Sequence, residues 1–392
     1  MKLADQHFCT GCGACVAACP KGAIERKDDS EGFPTPYIVE DKCIECGLCA
    51  KVCPALNPPK MNLIGDTYAA QILDRDALRE STSGGVFTVF AREIFRRGGV
   101  VYGCVWDKDY NAVVTKAESE EEMKPMRGSK YVWSYAGDTF PDIKNYLKEG
   151  RIVLFSGLPC QVAGLKKYLG KEYENLFSLD FLCSGSPSPL AFQKYLDTIC
   201  ESPDRSALDL RFRNKNPHGV GVHITYRGMK KPTSARADHI ANPYYYSFYS
   251  HFIDRRSCYH CPFGTVQRIA DFTMGDFWGI ADYYPDMDIK AGVSALMVNS
   301  EKGIDLLKSV ENELTLVKTK PQYIAKKNNL SLTDKPKNRT VVPFRDDFFL
   351  ELNQSGWKSA EKKYLRNFSR LKKIIILKIP LRFIKLAKKI RK

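Results

Sequence analysis

From Val86 to Arg97 apolar residues recur at helical spacing, and Gly98-Gly99 follows as a left-handed stop before the apolar run that starts at Val100. Further on, short β-rich runs at Val100–Val105, Ile152–Phe155 and Leu176–Phe181 alternate with helical patterns near 141–149, from Gln161 and from Ser188. That alternation predicts an α/β domain. From about residue 205 the aromatic content rises and strand-like runs dominate, at Val222–Tyr226, Asp271–Met274 and Val293–Val298, so a softer boundary falls near residue 200. The aromatic run from Pro243 to Phe252 has the composition to wall a flat cofactor, but aromatic stripes are more often core, and core is the reading here.

The first 60 residues follow a different rule. Cys9-Thr-Gly-Cys12-Gly-Ala-Cys15-Val-Ala-Ala-Cys19-Pro20 recurs 34 residues later as Cys43-Ile-Glu-Cys46-Gly-Leu-Cys49-Ala-Lys-Val-Cys53-Pro54. Two copies make a duplicated module rather than a solenoid. The paired prolines of Ala55–Lys60 remove backbone donors and mark a linker. The expected architecture is an α+β ferredoxin-like module at 1–58, an α/β domain at 65–200, a strand-rich part at 201–340 and a basic amphipathic tail at 341–392.

Composition narrows the setting. With 44% hydrophobic residues in 392 the chain buries a sizeable core and is not disordered. No charged, then apolar leader opens it and no apolar run reaches spanning length, so a reducing cytoplasm is the expected compartment. The net charge is +15, of which ten positive charges lie in residues 370–392 without a carboxylate. In that tail Phe383, Leu386, Ala387 and Ile390 share a helical spacing, which suits either peripheral contact with an anionic membrane face or a solvated end. A basic tail without a helix-turn-helix pattern argues against nucleic acid as partner.

Fourteen cysteines, eight of them in the first 53 residues at strict spacing, point to metal ligation rather than disulfides. A [4Fe–4S] cube takes four thiolates, and a C-x2-C-x2-C-x3-C-P run gives three to one cluster and its fourth to the other. By that rule Cys9, Cys12, Cys15 and Cys53 form one set and Cys43, Cys46, Cys49 and Cys19 the second, with Gly11, Gly13 and Gly47 allowing the tight turns. Structural zinc also takes C-x2-C pairs but rarely eight cysteines in a duplicated run. Of the six others, Cys160 and Cys183 follow predicted strands in Gly/Pro-rich loops and Cys258-Tyr-His-Cys261 is another C-x2-C. Spacing leaves three readings open for them: a third four-thiolate site, zinc with His260 or His251, or buried thiols. Ser81-Thr-Ser-Gly-Gly85 precedes a helix and reads as an N-cap or a phosphate-receiving turn.

Several ordered motifs then carry a resemblance: Ser81–Gly85, Gly128-Ser-Lys-Tyr-Val132, Phe155-Ser-Gly-Leu-Pro-Cys-Gln-Val-Ala-Gly-Leu165, Cys183-Ser-Gly-Ser-Pro-Ser-Pro189, and Cys258-Tyr-His-Cys-Pro-Phe263 through Met274-Gly-Asp-Phe-Trp-Gly279. From residue 1 to about 300 the chain resembles the family of coenzyme F420 hydrogenase/dehydrogenase beta subunits. The resemblance implies an α/β flavin-binding domain holding FAD, and a third [4Fe–4S] cluster on Cys160, Cys183, Cys258 and Cys261, with Cys104 and Cys200 as ordinary thiols. Carried onto matching positions, it offers Ser83, Gly84, Gly85 and Lys130 to the flavin or nucleotide, with Gly157 and Pro159 shaping the wall beside Cys160. The chain departs from the family at Leu158, where Thr is frequent, and at Cys183-Ser-Gly-Ser, which replaces Cys-His-Gly.

What the resemblance implies in function is an iron–sulfur flavoprotein oxidoreductase. Electrons would pass from a redox partner protein or ferredoxin, through the clusters and FAD, to an organic hydride acceptor or a deazaflavin-like cofactor. By analogy the setting is surface-polysaccharide biosynthesis at the inner membrane face. No nickel-site pattern is present, so hydrogen oxidation is not expected. The alternative is an electron-transfer adaptor without a substrate of its own.

Overall fold

The computed structural model describes residues 3–200, 210–216, 219–221, 223–224, 235–236, 242–326 and 339–365. Most of the strand expected at Val222–Tyr226, and the basic segment 370–392, lie outside the described residues.

The N-terminal module holds two short helices, α1 (Ala14–Ala18) and α2 (Leu48–Lys51), around an antiparallel hairpin of β1 (Ile24–Asp28) and β2 (Pro34–Ile38). The sequence repeat reappears as geometry, because each helix starts from a left-handed glycine, Gly13 at φ 84° and Gly47 at φ 79°. Gly11 at φ 70° completes the first turn. A side chain at these positions would meet the left-handed penalty that glycine escapes.

The rest is built on one eight-stranded sheet. Its strands are β3 (Thr67–Ile72), β4 (Val100–Trp106), β5 (Ala112–Ala117), β6 (Val153–Ser156), β7 (Leu176–Phe181), β8 (Phe272–Asp276), β9 (Ser294–Val298) and β10 (Leu314–Lys318). Their order is β10-β3-β9-β8-β7-β6-β4-β5. The centre β8-β7-β6-β4 is parallel, and β5, β9, β3 and β10 pair antiparallel around it. The sheet thus takes strands from both sides of the boundary read near residue 200. The soft break in composition falls in the aromatic stretch between β7 and β8, where two-stranded ribbons such as Asn214–Asn216 with Gly219–Gly221 form beside the main sheet.

Helices cover both faces, as a buried parallel sheet requires. On one side α3 (Val86–Arg96) buries Val86, Val89, Phe90 and Ile94 against the strands, and the helix Glu301–Val310 packs beside it. On the other lie α4 (Phe140–Lys148) and α5 (Pro159–Leu169), and here the N-terminal module docks, with Cys12, Ala14 and Val52 in the same core cluster as Phe140, Val162 and Leu165. A third cluster joins α6 (Pro189–Ile199), the aromatic helix α7 (Pro243–Tyr249), and α8 (Arg345–Ser355) with α9 (Trp357–Tyr364). Tyr244 and Tyr245 are buried there, so the aromatic run is core as expected. Residues 345–364, placed in the tail by sequence, are two packed helices with Phe348 and Trp357 buried.

Candidate iron–sulfur sites

Two cysteine-lined cavities lie at the junction of the module and the sheet. The first is lined by Cys9, Cys12, Cys15 and Cys53, three residues from the first run and the last from the second. This is the crossed set that the spacing rule gives. Burial and the neighbouring Cys9 and Cys53 push the Cys12 thiol up to about 12, and Cys15 is raised for the same reasons. Backbone N–H groups work the other way: Ala14 at Cys12, Val16 at Cys15, and Leu56 and Ala55 at Cys53 each favour the thiolate. Thiols crowded in a dry site with amides aimed at their sulfurs ionise only when a cation joins them, which is the condition an iron cluster meets.

For the second set, Cys43 and Cys46 both act on the buried Cys49. Cys46 is exposed. Cys19 closes α1, and its Sγ accepts the Ala23 N–H at 3.2 Å.

The second cavity is lined by Cys160, Cys183, Cys258 and Cys261. Cys160 is the second residue of α5, immediately after β6, Cys183 lies two residues beyond β7, and Cys258 sits in the short turn Arg256–His260 with Cys261 just after it. The carboxyl ends of adjacent parallel strands are where open α/β sheets bind ligands. Cys160 is pushed well up by burial and then by Cys261, Cys183, Cys258 and Cys12, so the cavity's three other thiols lie within electrostatic reach of Cys160 and the first cavity's Cys12 adds to them. Thr10 lines this cavity and the first.

The zinc alternative can be weighed on the same ground. Neither histidine considered for it lines the second cavity. His251 Nδ1 is 2.7 Å from Asp254 Oδ2, and the His260 ring lies 6.2 Å from that of Phe8. Among the described residues no three His, Cys, Asp or Glu side chains converge as ligands of one ion. A cubane has no such need, since each thiolate takes its own iron. Among these residues, which include all fourteen cysteines, no disulfide forms. Cys104, on β4, packs against the aromatic cluster and lines neither cavity.

The positions offered to a flavin are placed differently. Ser83 Oγ donates to Val293 O at 2.9 Å, the Gly84 amide donates to Ser294 Oγ at 2.9 Å, and a Cβ on Gly84 would lie 2.1 Å from Ala70 O. Gly85, at φ 79°, is the N-cap of α3. The Ser81–Gly85 turn is thus welded to the sheet. It also meets the other motif, since the Ser129 amide donates to Thr82 Oγ1 at 2.9 Å. Lys130 Nζ donates to Pro125 O and Arg127 O at 2.7 and 3.1 Å. Gly157 packs under the Phe155 ring, and Pro159 lines the cavity of Cys160. Of these positions only Pro159 therefore borders either cavity, and the donors named at Ser83, Gly84 and Lys130 are engaged within the chain, which is a poor fit to a phosphate-bearing flavin at those positions.

Sequence reasoning missed Arg255 and Arg268, both buried and both lining the second cavity. Arg268 Nη2 pairs with Asp180 at 2.8 Å and its Nη1 donates to Thr265 O at 3.2 Å, bracing the turn after Cys261. No local pattern marks an arginine whose partners lie tens of residues away.

Residues 150–322 match the family described as the C terminus of the coenzyme F420 hydrogenase/dehydrogenase beta subunit, and residues 8–57 match a 4Fe-4S dicluster domain. The chain thus carries a stretch that matches a 4Fe-4S dicluster domain ahead of one that matches the C terminus of the coenzyme F420 hydrogenase/dehydrogenase beta subunit. Among curated proteins it is 26% identical over 200 residues to the coenzyme F420-dependent sulfite reductase of Methanocaldococcus jannaschii, covering 50% of this chain and 30% of that one. It is 25% identical over 175 residues to the F subunit of the F(420)H(2) dehydrogenase of Methanosarcina mazei, covering 41% and 49%. The module alone is 40% identical over 50 residues to a ferredoxin of Pyrobaculum islandicum, covering 13% and 43%. The chain thus spans less than half the length of these three relatives. Among the described residues no helix is long and apolar enough to cross a membrane.

Proposed function

We propose that this chain is an iron–sulfur oxidoreductase subunit with three four-cysteine sites running from the exposed face of the N-terminal module to the carboxyl edge of the sheet. Cys43, Cys46, Cys49 and Cys19 hold the outer cluster, Cys9, Cys12, Cys15 and Cys53 the middle one, and Cys160, Cys183, Cys258 and Cys261 the inner one. The observation that carries this reading is the contact between the two cavities, where Thr10 lines both and Cys12 acts electrostatically on Cys160. When bound, the clusters supply one-electron transfer at a potential set by sulfur-directed hydrogen bonds and burial. The chain's own residues fix the order of the sites, exclude water from the inner ones and leave Cys46 open to a donor.

The names of the relatives point to a deazaflavin-type hydride carrier as the electron-linked partner, and that partner is part of this proposal. FAD, drawn from the family resemblance, stands as a further proposal and needs contacts other than those at Ser83, Gly84 and Lys130. An adaptor reading, in which the substrate site belongs to another polypeptide, gains from the name of one relative, which is the F subunit of an F(420)H(2) dehydrogenase.

Anaerobic purification with iron and flavin counted per chain tests the scheme, because three cubanes require about twelve irons and two about eight. About twelve irons, falling to about eight in Cys160→Ser, supports the inner site. About eight irons in the wild type after reconstitution sinks it. One flavin per chain supports the FAD proposal, and none removes it.

A further inference from the structure

Arg255 lies between the two cysteine-lined cavities and is buried, with 4% of its surface exposed. Its Nε donates to the carbonyl of Cys9 at 2.8 Å, and its Nη2 donates to Pro34 O at 3.2 Å and lies 3.9 Å from Cys9 Sγ. The guanidinium carbon is 5.1 Å from the ring centre of Phe33 and 5.5 Å from that of Trp133. The same side chain lines the cavity of Cys160, Cys183, Cys258 and Cys261, and its backbone carbonyl accepts the Cys258 N–H at 2.8 Å. Gly11 makes the room: a Cβ there would stand 2.9 Å from Arg255 Nη1.

Among the described residues this cation has no acidic partner. No ion pair forms with Arg255 among the described residues, and its Nη1 is buried without a hydrogen-bond acceptor. The neighbouring carboxylate, Asp254, is directed to His251 instead, with Oδ2 2.7 Å from Nδ1. The other cavity arginine, Arg268, already has Asp180. A buried guanidinium without a counter-charge is strongly unfavourable, so a fold that keeps one has an anion in reach when complete. A cubane with four thiolates carries a net negative charge, and each accepted electron adds one more.

We propose that Arg255 is the shared counter-ion of the clusters held by Cys9, Cys12, Cys15 and Cys53 and by Cys160, Cys183, Cys258 and Cys261, and that its charge raises the reduction potential of both. This rests on the three-site reading above. Arg255 moves no proton and forms no bond. In a titration dithionite supplies the electron, the cluster accepts it, and the fixed cation stabilises the more negative reduced state. As a positioning residue Arg255 also ties the Cys9 loop to the Cys258 turn.

The test uses the full chain, purified anaerobically, with iron counted before a redox titration followed by electron paramagnetic resonance. A wild type without iron at the inner site defeats the three-site reading itself, before any variant is made. Given about twelve irons in the wild type, Arg255→Gln with its iron retained is expected to make these two clusters at least tenfold harder to reduce. That is a downward shift of about 59 mV or more for one electron. The cluster of Cys19, Cys43, Cys46 and Cys49 shifts less, and Arg255→Lys stays near wild type. Unchanged potentials in an iron-replete Arg255→Gln overturn the proposal. If Arg255→Gln loses iron while Arg255→Lys keeps it with near wild-type potentials, the requirement is for charge and the proposal stands. If both variants lose iron, the guanidinium fork and not its charge is what the sites need, and the proposal falls.

Discussion

The β-carbon that Gly164 lacks would lie 2.7 Å from the Cβ and 2.8 Å from the Sγ of Cys12. Gly164 is inside α5, the helix that carries Cys160, so its bare backbone lets the cysteine of one site rest against the helix of the next. In an open helix Gly→Ala stabilises by about 1 kcal/mol. Here a methyl group would meet a cysteine fixed at both ends of its loop, and the module has to back away from α5. Gly164→Ala is expected to melt at a lower temperature and to lose iron from the site of Cys12 first. A variant that gains stability with its iron intact would show that the contact is loose.

The crossed ligand sets give a second expectation. Cys53 belongs to the second run in sequence but lines the cavity of Cys9, Cys12 and Cys15. Cys53→Ser should therefore alter the paramagnetic signal of the same cluster that Cys9→Ser alters, and Cys19→Ser that of Cys46→Ser. Pairing by sequence run instead, with Cys19 and Cys9 affecting one signal, would contradict the geometry.

Much of this site was legible because its chemistry is local. Cysteine spacing within runs of eleven residues was enough to group Cys9, Cys12 and Cys15 with Cys53, which line one cavity, and glycine marked the turns. Strand and helix periods placed β4, β6, β7 and α3 to within a residue or two. What escaped depends on distant partners. The continuity of the sheet across residue 200 is set by β8 pairing with β7, register Phe272 to Leu179, which no local pattern encodes. The helices at 345–364 were absorbed into a basic tail because their apolar residues, Phe348, Leu352 and Trp357, only make sense against the aromatic cluster they cover. Ser83, Gly84 and Lys130 look like ligand contacts in sequence because turn-forming and packing residues use the same side chains.

The module is also held by a buried ion pair that involves no cysteine. Arg345 donates from Nη1 to Glu31 Oε1 at 2.5 Å and from Nη2 to Glu31 Oε2 at 2.6 Å, and Nη2 also reaches Asp254 O at 2.6 Å. Glu31 is in the turn of the β1–β2 hairpin and Arg345 opens α8, so this pair joins the two ends of the described chain. Glu31 Oε1 also meets Arg256 Nη2 at 3.0 Å, so removing Arg345 leaves the buried carboxylate with this partly exposed cation alone, at a cost of up to about 3–5 kcal/mol, whereas removing both members of the buried pair costs much less. Arg345→Met is expected to fall by that amount in denaturant unfolding, and Glu31→Gln with Arg345→Met to recover part of it. Equal losses in the single and double variants would mean that the pair is solvated.

Arg92 on α3 provides a prediction with a sign in pH. Its Nη2 lies 2.9 Å from Asp74 Oδ2 and 2.8 Å from Glu120 Oε1. The hydrogen bond from Arg92 is the main cause holding Glu120 below the usual carboxylate range, and Asp74 is lowered first by the Ala77 amide it caps and then by Arg92. A carboxylate whose folded pKa is depressed stabilises the fold above its unfolded pKa and loses that contribution as pH falls through the folded value. Both groups are partly exposed, so the contribution is about 1 kcal/mol in total. Arg92→Met should therefore be less stable than wild type by about that amount at pH 7, and the gap should close as the pH drops below about 4. Urea unfolding of both chains at stepped pH reads the difference directly. A gap that stays constant down to pH 3 would assign the loss to the packing of the arginine stem on α3 rather than to its charge.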